Sequence, residues 1–206
     1  MKLYGTLVSP YARKARMLIL EKKLPVELVV QDPSAADSPI PAMNPLGRLP
    51  VLEIEAGRYL FDATLVTHFL EHFDGHPLQP GDAAGYWQSL WWQALGNGII
   101  DAVVQRLLEI RRLPFNQSME TVAREEERVR RAIDAAEGVV RRRRFLVGGG
   151  LTMADVVMGV ALQYTEFRYP HEWHSRAPKL ARWLAGIARR KSFRETLPPG
   201  FGKPSN

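Results

Sequence analysis

Residues 74–85, DGHPLQPGDAAG, constrain this chain more than any other stretch. Two prolines and three glycines so close together cannot sit inside one regular element. The apolar period changes across this break, so it reads as a boundary between two domains: residues 1–75, a linker at 76–85, and residues 86–206. Before the break, short β-branched runs alternate with helical stripes. Residues 2–8, 26–30, 51–54 and 59–61 read as strands, the last two as a hairpin around Ala56-Gly57. Residues 10–22 read as a helix with Ala12, Ala15, Leu18 and Ile19 on one face. Residues 63–73 read as another, with Leu65, Val66, Phe69, Leu70 and Phe73 in a stripe. Residues 32–45 read as loop with room for one helical turn. The order β-α-β-(α)-β-β-α implies one sheet with helices returning onto it, an α/β domain. After the break every period is helical, over 86–112, 119–142, 153–168 and 178–190, which implies an all-α domain.

Composition narrows the function classes. A chain of 206 residues with 46% apolar and 24% charged residues buries a core without metal or disulfide staples. The longest apolar run, 156–162, is far too short to span a bilayer. Arg13, Lys14 and Arg16 interrupt any leader-like stretch at the start, so a cytoplasmic protein is expected. Cysteine is absent, which excludes disulfides, thiolate metal sites and cysteine nucleophiles among the protein's own atoms. Sulfur chemistry would need sulfur carried in by a ligand. The net charge of +6 favours anionic ligands without specifying one.

Three short motifs carry candidate chemistry, and each has a plain structural reading beside it. Ser9-Pro10 stands where the first strand meets the first helix, a good N-cap followed by a good first helical residue. The same hydroxyl, at a helix end that favours anions, suits a bound thiolate and would lower its pKa. NPLGRLPVL at 44–52 places Pro50 just before an apolar strand. It reads either as a punctuated loop or as a cis turn at Leu49-Pro50 that offers the Leu49 backbone to an extended ligand. Asp62 reads as the N-cap of the helix beginning at Ala63, or as a carboxylate that holds an amino-acid head group there.

Other patterns read as structural. Thr152 and Asp155 form a capping box before an apolar run. His68, His72 and His76, and His171 with His174, have helical spacings but no further metal-ligand pattern, so no metal is expected. Arg141–Arg144 reads as a solvated helix end, and no nucleic-acid module accompanies it.

The order SPYARK at 9–14, NPLGRLPVL at 44–52 and LFDA at 60–63, with the linker and LTMAD at 151–155, resembles the glutathione S-transferase superfamily in its bacterial, serine-using branch. The resemblance covers essentially the whole chain. It implies a thioredoxin-like N-terminal domain that binds glutathione and an all-helical C-terminal domain, with a small hydrophobic electrophile held in the cleft between them. By resemblance, Ser9 donates to the glutathione thiolate, and the Leu49 backbone before cis-Pro50 pairs with the cysteinyl part. Arg48 lies near the glycyl end, and Asp62 holds the γ-glutamyl amino group. Asp101 matches a carboxylate that reaches the partner subunit's glutathione in some dimers, so a homodimer is expected. Tyr11, Trp91, Gly98 and Tyr164 are expected to line the electrophile pocket. Glutathione is a cosubstrate, and no metal or prosthetic group is required.

One position departs from the pattern. The family usually has Glu-Ser or Asp-Ser where this chain has Asp62-Ala63, and that serine hydroxyl binds the γ-glutamyl carboxylate. Ala63 keeps the backbone N–H and loses a hydrogen bond worth about 1.5–3 kcal/mol. The reading is a glutathione transferase that adds glutathione thiolate to an electrophile. Two alternatives stand beside it: a non-catalytic binding or assembly module of the same fold, and a glutathione-dependent disulfide reductase or peroxidase.

Overall fold

The β-branched and apolar runs of the first part pair into one sheet, as their alternation requires. The computed structural model describes residues 1–168 and 172–201. Strands β1 (Lys2–Gly5), β2 (Glu27–Val30), β3 (Val51–Glu55) and β4 (Arg58–Phe61) lie in the order β2-β1-β3-β4. β1 and β2 are parallel, while β3 runs antiparallel to both β1 and β4. This is the thioredoxin-like α/β sheet. Helix α1 (Pro10–Lys22) is the crossover between β1 and β2, and α3 (Ala63–His72) packs against it. Ala12, Ala15, Met17 and Leu18 of α1 are fully buried. Gly5 permits the close return of α1 onto β1, since a Cβ there would come within 2.8 Å of the Ala12 Cβ. α2 (Ile40–Met43) is the single helical turn in the 32–45 loop.

The helical part comprises α4 (Ala83–Ile110), α5 (Met119–Val139), α6 (Met153–Arg168), α7 (Trp173–Arg176) and α8 (Pro178–Ile187). α6 is its central helix, with every residue from Met153 to Thr165 buried. α4 packs along α6, closest at Gly96, where a Cβ would meet Val157 Cγ1 at 2.9 Å and Met158 N at 3.2 Å. No helix of the described residues is long and apolar enough to cross a membrane.

The chain divides into two units, one of residues 1–77 together with the segment from Arg190, the other of residues 78–189. The returning segment differs from the sequence reading, which counts everything to residue 206 with the helices and continues the last helix to 190. Its cause is a cluster of charge on α1. The guanidinium of Arg13, only 3% exposed, donates from Nε to Thr196 Oγ1 at 3.1 Å and from Nη2 to the Phe193 carbonyl at 3.0 Å. Arg190 forms a two-point ion pair with Glu21 at 2.9 and 2.6 Å, and Ser192 donates to the same carboxylate. Helix α9 (Lys191–Glu195) is thereby docked on α1.

Candidate functional site

The strand register brings three loops to one end of the sheet. Tyr4, Val51 and Phe61 lie in one row across β1, β3 and β4. β1 and β4 run toward that row, and β3 begins at it. The segments 6–9, 48–50 and 61–63 therefore leave the sheet at the same end, where α1 and α3 also begin. Two helix N-termini with unpaired N–H groups favour anionic atoms there.

Ser9 caps α1: its Oγ accepts from the Ala12 N–H at 3.2 Å, and its carbonyl accepts from the Arg13 N–H at 3.0 Å. Capping uses an Oγ lone pair and leaves the O–H hydrogen to donate, so the cap role and the thiolate role are compatible. Arg16 braces the loop before Ser9. Its Nη1 donates to the Leu7 and Thr196 carbonyls, each at 3.4 Å, and burial lowers the guanidinium's pKa from its usual value.

The peptide bond Leu49-Pro50 is cis. Leu49 precedes the β3 ladder, and among the described residues neither its N–H nor its C=O has a hydrogen-bond partner. The loop is shaped by Asn44, which is 1% exposed. Its Nδ2 donates to the Arg48 carbonyl at 2.8 Å, its Oδ1 accepts from the Leu46 N–H at 2.9 Å, and its carbonyl accepts from the Gly47 N–H at 2.8 Å. Gly47 takes φ +62°, a value that suits glycine. Arg48 itself is exposed. Asn44 is the positioning residue that sequence reasoning missed, although Asn-Pro-Leu-Gly is a turn signature of the kind an asparagine side chain closes.

Asp62 has φ +70° and ψ 131°, a conformation that costs about 1–3 kcal/mol for a non-glycine residue. It caps α3 by accepting from the Thr64 N–H at 2.7 Å, and its side chain is exposed. Ala63 is 7% exposed and follows at the first position of α3.

The remaining predicted residues are distributed between the units. Tyr11 lies on α1, with Lys14 Nζ 5.6 Å from its ring centre. In the second unit, Trp91 and Gly98 are exposed on α4, and a Cβ at Gly98 would meet only open space. Trp91 stacks edge-on with Trp92, ring centres 5.1 Å apart. Asp101 is exposed on α4, while Tyr164 is 5% exposed within α6, under the guanidinium of Arg168. His68, Glu71 and His72 place one ligand-type atom each within 4.8 Å of one another on α3, and His76 is outside this group. His174 contacts Glu166 at 3.0 Å. His171 lies outside the described residues.

Thr152 and Asp155 form one half of a capping box at the start of α6, with an addition. Asp155 Oδ2 accepts from the Thr152 N–H at 2.8 Å and from its hydroxyl at 3.0 Å, while Oδ1 accepts from the Leu146 N–H at 2.8 Å. Burial raises this carboxyl to about 6, against the opposing pull of those three donors.

Residues 3–77 match the family described as glutathione S-transferase, N-terminal domain, and residues 119–186 match glutathione S-transferase, C-terminal domain. An uncharacterized GST-like protein of Escherichia coli K12, YibF, is 32% identical over 97% of this chain and 99% of its own length. A crystal structure of a glutathione S-transferase from Methylobacillus flagellatus with glutathione bound superposes with TM-score 0.91 at 32% identity, covering 96% of this chain and 98% of that one. A glutathione S-transferase from Methylobacterium radiotolerans, in complex with glutathione sulfonate, gives TM-score 0.89 at 32% identity, covering 100% and 97%.

Proposed function

The chain belongs to the glutathione S-transferase family, and we propose that it is a serine-type glutathione transferase that adds the thiolate of glutathione to a small hydrophobic electrophile. The observation that carries this reading is the convergence of Ser9, Leu49-Pro50 and Asp62-Ala63 at one end of the sheet. Glutathione is an extended peptide with a thiol at its middle, an amino-acid head and a carboxylate tail. Each segment supplies what one of those parts needs. The Leu49 N–H and C=O suit the cysteinyl backbone by strand-like pairing. The exposed Asp62 carboxylate suits the γ-glutamyl ammonium, and the first N–H groups of α3 suit its carboxylate. Arg48 supplies a cation for the glycyl end. The Ser9 hydroxyl, which caps α1 through a lone pair, has its hydrogen for the thiolate.

The chemistry needs no group beyond these. Ser9 stabilises the sulfur anion and is not itself the nucleophile. Rate enhancement comes from a larger thiolate fraction near neutral pH and from holding thiolate and electrophile together. The assembly in this reading is a homodimer. Tyr86, Trp87 and Trp91 on the first half of α4 are 40%, 67% and 45% exposed, an aromatic face of the kind that covering by a second copy removes from water.

A second reading, a binding module without transferase activity, is favoured by Ala63, which lacks the hydroxyl usual at that position. Calorimetric titration with glutathione, followed by a thioether-forming assay over a panel of electrophiles, separates the two. Binding with turnover supports the transferase. Binding without turnover on any electrophile supports the module, and no binding at millimolar glutathione overturns both.

A further inference from the structure

A basic cavity lies in the helical unit, and none of the residues assigned to glutathione lines it. Arg141, Arg142, Arg143, Lys179, Arg182 and Trp183 line one cavity of about 520 Å³, within the range of small-molecule sites. Among the described residues that line it there is no carboxylate. Arg141, Arg142, Arg143 and Arg182 are exposed, and among the described residues none has an acidic partner. Lys179 alone is shared with an acid, its Nζ lying 3.8 Å from Glu137 Oε1.

Along α5 the pattern differs. The arginines along α5 are matched to acids: Arg124 and Arg128 to Glu125, and Arg130 and Arg131 to Glu127, while Arg106 of α4 is matched to Glu126. The positive surface therefore does not continue along the helix as a nucleic-acid stripe would. Nor does the end of α5 account for the cluster. A helix C-terminus favours the cations at 141–143, but Lys179 and Arg182 stand in the first half of α8, where the helix field disfavours them. Unpaired guanidinium groups round one cavity repel one another, and a bound anion relieves that repulsion. Trp183, 5% exposed, contributes to the same lining, and its buried indole N–H has no acceptor among the described residues.

We propose that this cleft binds a small polyanion carrying two or more linked phosphate groups. A guanidinium grips a phosphate through two parallel N–H bonds, so four such groups exceed what a single phosphate can use. The shared chemistry is the phosphate chain, which either a nucleoside diphosphate or a bare polyphosphate supplies.

Calorimetry on the full chain, at about physiological ionic strength, tests the site with tripolyphosphate, ADP, inorganic phosphate and glutathione as separate titrants. Tripolyphosphate or ADP should bind at least about tenfold more tightly than inorganic phosphate. Tighter binding of ADP assigns the site to nucleotides, and equal or tighter binding of tripolyphosphate assigns it to the bare chain. Arg142→Ala and Arg182→Ala, both at exposed positions, should each weaken that binding about tenfold while the glutathione titration stays where it was. Absence of binding for both polyanions at about 1 mM overturns the proposal. So does binding that neither substitution weakens, or binding seen only with long single-stranded DNA or RNA. Because glutathione is titrated separately, loss of one activity does not mimic loss of the other.

Discussion

Ser9→Ala removes an oxygen that caps α1 and, in the proposed reading, a hydrogen that donates to the bound thiolate. The first loss should cost about 1 kcal/mol of stability in a denaturant melt. The second should raise the pKa of bound glutathione by roughly one to two units, since a hydrogen bond to a charged group is worth about 1.5–3 kcal/mol. Ultraviolet absorbance of the thiolate, titrated against pH in wild type and variant, reads the second directly. Unchanged titration with a lowered melt leaves Ser9 as a cap alone. Raising the pH should restore part of the turnover, because more thiolate then forms without help. At Ala63 the experiment runs the other way. Ala63→Ser adds the hydroxyl that the family usually has, beside an N–H at the start of α3, and should tighten glutathione binding by about tenfold or more. Calorimetry reading no gain would place the γ-glutamyl carboxylate elsewhere. The helix starts after Ser9 and Asp62 were legible in the sequence because a cap signature announces a helix end. Asn44 was not, because its importance lies in bonds to Leu46 and Arg48 that only the folded loop creates.

At the scale of elements, start signals were the most readable part of the chain. Pro10 after Ser9 and Met153 after Thr152 mark the first residues of α1 and α6. Helix ends were less legible: α5 stops at Val139 and α8 at Ile187, each three residues short of where the apolar stripe and basic tail suggest. Charged residues continue a helical pattern cheaply, so periodicity alone does not show where they leave it. The capping box of α6 also reaches further than its motif. Asp155 holds the Leu146 N–H as well as Thr152, so it ties α6 to the segment preceding it. Asp155→Ala strands three donors and should cost about 3 kcal/mol or more below about pH 4, and less near neutral pH. The carboxyl itself titrates at about 6 in the folded chain, against an ordinary 3.8. Between those values the folded chain holds a proton that the unfolded chain has released. Its contribution to stability is therefore greatest below about pH 4 and is lost as pH rises through about 6, a change of about 3 kcal/mol. Asp155→Asn cannot titrate. The difference in unfolding free energy between wild type and Asp155→Asn should shrink by that amount across the window. A constant difference would mean that the three donors keep the carboxylate ionised throughout.

For the whole molecule, the informative feature is the segment from Arg190, which belongs with the first unit although it follows the helices in sequence. Nothing in a linear pattern reveals this. The cause is the buried guanidinium of Arg13, and a helical arginine in sequence looks like a solvated one. Once buried, it needs Thr196 Oγ1 and the Phe193 carbonyl, which lie 180 or more positions away. Ending the chain at residue 189 should therefore do more than remove a surface helix. It removes the Thr196 and Phe193 partners of a buried charge and leaves Glu21 without Arg190 and Ser192, an effect of about 3 kcal/mol or more. Adding Arg13→Met to the shortened chain should recover a large part of that, since an apolar side chain of similar length needs no partner. The five tryptophans, at 87, 91, 92, 173 and 183, all lie in the second unit, so their fluorescence follows that unit only. In the shortened chain, far-ultraviolet circular dichroism should show a transition at lower denaturant than tryptophan fluorescence does, and Arg13→Met should bring the two back together. Coincident transitions in the shortened chain would mean that α9 stabilises both units equally and that the Arg13 bonds are not what holds it.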